Sequence, residues 1–259
     1  MRQGYDRFIW YELMTTDQPA AEAFYRAVVG WEMADAGQAG MRYTILSAGK
    51  RGVGGLMALP AEMREAGAKP GWTGYIAVDD TDAAARRIAA AGGSIHRAPD
   101  DIPNVGRFAV VADPGGVVFM LLTPLPQGQE PPPIELNSPG FIGWHELYAG
   151  NGQEAAFAFY SSQFGWTTIE TLDMGAMGKY RIFGADGVPF GGMMDKPPQA
   201  PAAAWGFYVN VNGIDAAIER IKANRGQVLM GPQEVPGGSW IVQAVDPQGA
   251  NFALVSPKR

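Results

Sequence analysis

The sequence predicts an α+β chain made of four βαβββ units, two in each half. Three observations predict it. The chain repeats itself, a proline-rich stretch separates the copies, and a strand–helix–strands order starts twice within each copy. Trp10-Tyr11-Glu12-Leu13 returns as Trp144-His145-Glu146-Leu147, Phe24-Tyr25 as Phe159-Tyr160, and Gly30-Trp31 as Gly165-Trp166. Gly54-Gly55-Leu56-Met57 returns as Gly191-Gly192-Met193-Met194, Trp72 and Tyr75 as Trp205 and Tyr208, and Asp113-Pro114 as Asp246-Pro247. The offset stays between 133 and 137 residues. Self-similarity on this scale decides architecture before any single motif does. It divides the chain into residues 1–123, a linker 124–139 and residues 140–259, each half a common domain size.

Each element has its own signal. Residues 8–14 alternate apolar and polar, as a half-buried strand does. Asp17 is an N-cap with Pro19 in the first turn, and Ala20, Phe24 and Val28 form one helix face that Gly30 ends. Short strands follow at 43–47 and 53–59. The pattern then restarts with a strand at 74–78, a cap at Asp80 and a helix face of Ala84, Ile88 and Ala91, stopped by Gly92-Gly93. Strands at 94–98, 107–112 and 117–123 follow, the last after an Asp113-Pro114-Gly115-Gly116 turn. The second copy repeats this order, with Ile214, Ile218 and Ile221 on its last helix. The linker holds Pro124, Pro126, Pro131, Pro132, Pro133 and Pro139, and such a stretch is expected to run extended.

Bulk properties exclude several classes of function. Of the 259 residues, 47% are hydrophobic and 18% charged, an ordinary globular balance. A net charge of −6 with no basic cluster argues against nucleic acid. The absence of cysteine removes disulfides, thiolate metal sites and cysteine nucleophiles together. No apolar run nears the ~20 residues that span a bilayer, and the N-terminus lacks a signal-peptide pattern. The expectation is a soluble cytoplasmic protein with a small-molecule ligand, monomeric or homodimeric.

The ordered set of strand, Asp cap, Phe-Tyr helix, Gly-Trp and Asp-Pro turn, present twice, resembles the vicinal oxygen chelate superfamily. That superfamily includes glyoxalase I, the extradiol dioxygenases and the bleomycin-resistance proteins. The Trp-x-Glu-Leu, Phe-Tyr and Gly-Trp set is similar to a two-domain glyoxalase-like subgroup labelled as hydroxylases. The resemblance implies that each pair of βαβββ units curls into an eight-stranded, half-open barrel around a cleft. It also implies a divalent metal there, held by His, Gln or Glu from the first strand of each unit and by Glu from the last.

This chain departs from that pattern at the ligand positions. The first-strand His is expected seven residues before the helix cap. Counting back from Asp17 gives Trp10, and from its match Asn151 gives Trp144. The last-strand Glu is expected seven residues after the Asp of the turn, which gives Met120 and Ala253. The remaining positions fall near Met57 and Thr73, and near Met194 and Gly206. Indole, thioether and methyl groups are not ligands for such metals. The reading is therefore no metal and no other cofactor. The alternative is a divalent metal held through His145, which strand alternation turns away from Trp144 and Glu146.

Two carboxylates and a set of aromatics remain as site candidates. Glu12 and Glu146 share a strand face with Trp10 and Trp144, where each would anchor a ligand donor or act as a general base. The bland alternative is that each caps a turn or pairs with an arginine. Trp10, Tyr43, Trp72, Tyr75 and Met120, with Trp144, Tyr180, Trp205, Tyr208 and Trp240, are the candidate ligand-binding residues; the bland alternative for any one of them is core packing. The double glycines read as bulges or close backbone approaches rather than phosphate loops. His96 reads as a surface residue. The functional expectation is a glyoxalase/bleomycin-resistance-like protein that binds a small aromatic or oxygenated molecule without the family metal. The alternative is an enzyme of the lyase, isomerase or dioxygenase type.

Overall fold

A computed structural model describes residues 6–37, 42–126 and 137–259. Residues 127–136, which include Pro131, Pro132 and Pro133 of the expected linker, lie outside the described residues.

Four βαβββ modules follow one another. The first is β1 (Phe8–Thr15), α1 (Gln18–Val28), β2 (Glu32–Asp35), β3 (Tyr43–Ala48) and β4 (Arg51–Ala58), with a short α2 (Ala61–Glu65) after it. The second is β5 (Gly71–Ala77), α3 (Thr81–Ala90), β6 (Ser94–Ile102), β7 (Gly106–Ala112) and β8 (Val118–Pro124). The third is β9 (Ile142–Ala149), α4 (Gln153–Phe164), β10 (Thr167–Asp173), β11 (Lys179–Ala185) and β12 (Val188–Asp195). The fourth is β13 (Ala204–Asn210), α5 (Ile214–Ala223), β14 (Gln227–Glu234), β15 (Trp240–Val245) and β16 (Asn251–Ser256). Two mixed eight-stranded sheets result, in the orders β2-β3-β4-β1-β5-β8-β7-β6 and β10-β11-β12-β9-β13-β16-β15-β14. Their end strands stay unpaired with each other, so neither sheet closes. The expected α+β class and half-open arrangement are therefore present.

The helices begin and end where local chemistry requires. Asp17 accepts the Ala20 N–H at 3.0 Å, and Asp80 accepts the Ala83 N–H at 2.9 Å, each satisfying a donor that the helix leaves open. Helix α1 buries Ala21, Phe24, Tyr25 and Val28, so its stripe is centred one position beyond the expected Ala20. Gly30 follows it at φ +91°, a conformation that glycine adopts without penalty. Helix α4 departs from expectation, because Asn151 is not its cap. Gly152 holds that position, and Asp195 at the end of β12 accepts the Gln153 N–H at 2.7 Å. The missing side-chain cap is thus supplied from the sheet. Edge strands β2 and β10 are mostly exposed and carry little burial alternation, which is why the sequence did not mark them.

The chain divides into two compact units, and each draws on both halves of the sequence. One takes the described residues of Met1–Ile9, Thr73–Pro133 and His145–Trp205; the other takes those of Trp10–Trp72, Ile134–Trp144 and Gly206–Arg259. In the unit that starts at Trp10, α1 packs against α5, and the Tyr25 hydroxyl donates to Asp246 Oδ2 at 3.1 Å. The Trp72 indole N–H donates to that hydroxyl at 3.0 Å. The other unit is built the same way. Helices α3 and α4 touch, the Tyr160 hydroxyl donates to Asp113 Oδ2 at 3.2 Å, and the Trp205 N–H donates to Tyr160 at 2.9 Å. The second oxygen of each aspartate closes the Asp-Pro turn. Asp113 Oδ1 accepts from Gly115 and Val117 N–H, and Asp246 Oδ1 from Gln248 and Ala250 N–H. Burial raises both carboxyl pKa values, opposed by these same hydrogen bonds. So the repeated Phe-Tyr, Trp and Asp-Pro signals form one Trp–Tyr–Asp chain per unit.

Candidate functional site

Strand alternation sets the position of Glu12. On β1 it stands opposite Gly55 of the parallel neighbour β4, and Tyr43 lies on β3, one strand further out. A tyrosine on β3 reaches β1 only by lying across β4, and the glycine makes that possible. A Cβ at Gly55 would stand 1.8 Å from Tyr43 Oη and 2.2 Å from Cζ, well inside contact distance. The phenol occupies the space a side chain would take, and its O–H donates to Glu12 Oε2 at 3.1 Å. The Trp10 indole N–H donates to Tyr43 Oη at 3.0 Å, and the Trp10 ring lies over Gly52 in the same manner. Trp10, Tyr43 and Glu12 therefore form a chain of donors ending on a carboxylate that is 6% exposed. Burial, then the nearby Glu12 charge, pushes the Tyr43 pKa well above its ordinary value; the Trp10 hydrogen bond opposes them. The phenol is thus neutral and donating at physiological pH.

The other compact unit holds a second pair of this kind. Glu146 on β9 stands opposite Gly192 of β12, and the Tyr180 hydroxyl from β11 donates to Glu146 Oε1 at 3.1 Å. A Cβ at Gly192 would stand 2.2 Å from Tyr180 Cζ and Oη. The double glycines are therefore close approaches: Gly54 and Gly191 meet the backbone of β1 and β9, with the Phe183 ring also at Gly191, and Gly55 and Gly192 meet a tyrosine ring.

The remaining candidates lie elsewhere. Trp72 and Trp205 direct their N–H groups to Tyr25 and Tyr160, inside aromatic clusters with Trp31 and Trp166. Tyr75 and Met120 are register partners on β5 and β8, each 4% exposed. Tyr208 is buried and accepts from Gln243 Nε2 at 2.7 Å, a partner that the sequence pattern did not single out. Trp240 opens β15 under the Arg259 guanidinium, 5.1 Å from its ring centre. Trp144 is half-buried on β9.

Both histidines are placed. His96 is exposed beside Ser94, its Nε2 3.1 Å from the hydroxyl. His145 is buried, stacked on Phe8 at 4.8 Å, with Nδ1 2.8 Å from the Phe190 carbonyl oxygen. Burial lowers its pKa to about 4, against a smaller opposing effect of that hydrogen bond. Among the described residues, no group of three or more His, Cys, Asp or Glu is placed to hold a metal ion. The positions that the resemblance assigns to ligands fall at Trp10 and Met120 and near Met57 and Thr73 in one copy, and at Trp144 and Ala253 and near Met194 and Gly206 in the other. This donor set does not fit the divalent metal that the fold family implies.

The fold and this duplicated construction agree with direct comparison. The model of the Glyoxalase/Bleomycin resistance protein/Dioxygenase superfamily matches residues 7–121 and again 144–254. The chain belongs to that superfamily. It is 31% identical over 251 residues to the glyoxylase-like protein CFP32 of Mycobacterium tuberculosis, across 96% of this chain and 94% of the relative. It is 29% identical over 265 residues to the anthracycline biosynthesis protein DnrV of Streptomyces peucetius, across 95% and 91%. Among solved structures it resembles the Mn(II)-bound glyoxalase of Novosphingobium aromaticivorans, with a TM-score of 0.67, 17% identity, and 98% and 83% coverage. That last likeness concerns the fold alone. No helix among the described residues is long and apolar enough to cross a membrane.

Proposed function

We propose that this chain binds a hydroxylated aromatic small molecule against the Trp10–Tyr43–Glu12 face, without the family's metal. The observation that carries the reading is the buried carboxylate at the end of an indole–phenol chain. An ionised carboxylate only accepts hydrogen bonds, at about four lone-pair sites, so it selects ligand groups that donate. A phenolic hydroxyl or an amine suits it, and a flat ring suits the neighbouring indole and phenol. The relative named for anthracycline biosynthesis points to the same ligand class, since anthracyclines are hydroxylated polycyclic aromatics. Trp144, Tyr208 and Trp240 of the same compact unit are proposed as further ligand contacts, Tyr75 and Met120 as ligand contacts within the other unit, and Trp72 and Trp205 as supports of the tyrosines they hydrogen-bond.

The test combines metal analysis with binding. Protein purified without chelator is expected to hold no stoichiometric Zn, Ni, Mn or Fe while binding hydroxylated aromatics, from catechol to 1,2-dihydroxyanthraquinone. Glu12→Gln is expected to weaken that binding, and methylation of the ligand hydroxyls to weaken it similarly. Stoichiometric metal in the protein, or binding indifferent to both changes, would sink the proposal. A second reading, acid–base catalysis by Glu12, is favoured by the same buried Glu–Tyr hydrogen bond. It is recognised by loss of turnover in Glu12→Gln with affinity nearly unchanged.

A further inference from the structure

We propose that Asn212 is a site of spontaneous covalent modification: its side-chain amide is lost through attack by the Gly213 backbone nitrogen, and an aspartyl or isoaspartyl residue takes its place. The sequence holds two Asn-Gly pairs, Asn151-Gly152 and Asn212-Gly213, and asparagine is among the chemically labile residues. The glycine matters because it has no Cβ to stand between its nitrogen and the asparagine side chain. The step balances with water as the only co-reactant. The Gly213 nitrogen forms a bond to Asn212 Cγ, its proton leaves with the side-chain amide as ammonia, and a cyclic imide results. Water then opens the imide at either carbonyl. One opening restores the original main chain with an aspartate. The other routes the main chain through the former side-chain carbonyl as isoaspartate, a methylene longer.

The structure separates the two pairs. Both asparagines are exposed, and both glycines stand just before a helix, α4 or α5. Asn151 is braced. A Cβ on Gly115, in the Asp113-Pro114 turn, would stand 2.9 Å from Asn151 Oδ1 and 3.2 Å from its backbone nitrogen, and a Cβ on Gly150 would stand 2.4 Å from the Gly115 carbonyl oxygen. The Asn151 side chain must leave that turn before its Cγ can be attacked. Asn212 is open. Beyond its chain neighbours, a Cβ on Gly213 would meet only the Arg259 carbonyl oxygen, at 3.5 Å. Among the described residues, neither the Asn212 side chain nor the Gly213 N–H has a hydrogen-bond partner. An uncommitted N–H can give up its proton without first breaking a backbone hydrogen bond. The aspartyl product fits the fold, since Asp79 stands at the corresponding position ahead of α3 and a carboxylate is stabilised near a helix N-terminus. The isoaspartyl product disturbs it. The Val211 N–H donates to the Val255 carbonyl at 2.9 Å and the Ile214 N–H to the Lys258 carbonyl at 3.2 Å, so the added length falls between two tethered points where β13 leads into α5.

Peptide mapping by mass spectrometry, after incubation of the full chain in mildly alkaline buffer, tests this. The Asn212 peptide is expected to gain the mass difference between an amide and an acid and to split into aspartyl and isoaspartyl forms, several-fold faster than the Asn151 peptide. In urea, where neither pair is held, the two are expected to convert at similar rates. Gly213→Ala puts a methyl at an ordinary contact distance and at φ −175°, extended backbone that any residue adopts, so the variant folds while its methyl shields the nitrogen. Its conversion at Asn212 is expected to slow several-fold. An Asn212 that stays intact, that converts no faster than Asn151 in the folded chain, or that converts at the wild-type rate in Gly213→Ala would overturn the inference.

Discussion

Gly55→Ala is expected to destabilise this protein strongly, although alanine in a strand ordinarily costs less backbone entropy than glycine. The backbone at Gly55 is not in the left-handed region, so the effect is purely one of space. The new methyl would stand 1.8 Å from Tyr43 Oη and 2.8 Å from Cε1. The ring must swing away, losing the donation to Glu12 and the acceptance from Trp10. A hydrogen bond to a charged group contributes roughly 1.5–3 kcal/mol and a neutral one about 1, so the loss is about 3 kcal/mol. Urea unfolding midpoints of four proteins measure it: wild type, Gly55→Ala, Tyr43→Ala and the double variant. With Tyr43 removed, Gly55→Ala is expected to be neutral or slightly stabilising, which gives a coupling of at least ~2 kcal/mol between the sites. Additive costs, or a Gly55→Ala protein as stable as wild type, would refute the seating of Tyr43 over the glycine.

Three further outcomes follow from the same geometry. His145 is neutral in the fold with a pKa of about 4, so as pH falls the unfolded chain takes up its proton first. Stability is complete above its ordinary 6.5 and is lost toward 4, roughly 2 kcal/mol by pH 5 and about 3 in all. Unfolding midpoints of wild type and His145→Phe across pH 4–7 should differ in slope by this amount, and an NMR titration of His145 near 6.5 would contradict it. Tyr25→Phe should cost about 2–4 kcal/mol, because it strips the Trp72 N–H and Asp246 Oδ2 of their shared partner in a buried setting. Tyr160→Phe should cost a similar amount through Trp205 and Asp113, and thermal unfolding that leaves either variant unchanged would refute the paired interlock.

Much of the candidate site could be read from the sequence, and the unread part has a definite cause. Trp10, Glu12 and Tyr43 were candidates because the repeat presents them twice, and strand alternation already placed Trp10 and Glu12 on one face. That Tyr43 bonds to Glu12 was not readable, since the contact crosses an intervening strand and depends on which glycine lies beneath the ring. Trp72 and Trp205 read as ligand-facing aromatics, whereas their indole N–H groups serve Tyr25 and Tyr160. Composition cannot tell a wall from a support, because both roles use the same side chain. Asn151 looked like a cap by its position in the repeat, but Asp195, 42 residues beyond the Gln153 N–H that it accepts, does that work.

The sequence by itself determined the four modules, because the signals that build them are local. Caps act within one turn, helix stripes within three or four residues, and an Asp-Pro turn within four. Tertiary structure decided the partners. A helix stripe states that a face must be buried but not against which element, so the sequence could not show that α1 meets α5 and α3 meets α4, or that each compact unit takes modules from both halves. The repeated Tyr and Asp belong to these non-local pairings, Tyr25 with Asp246 and Tyr160 with Asp113. Each buried hydroxyl and carboxyl needs a partner, and only the folded chain brings one within reach.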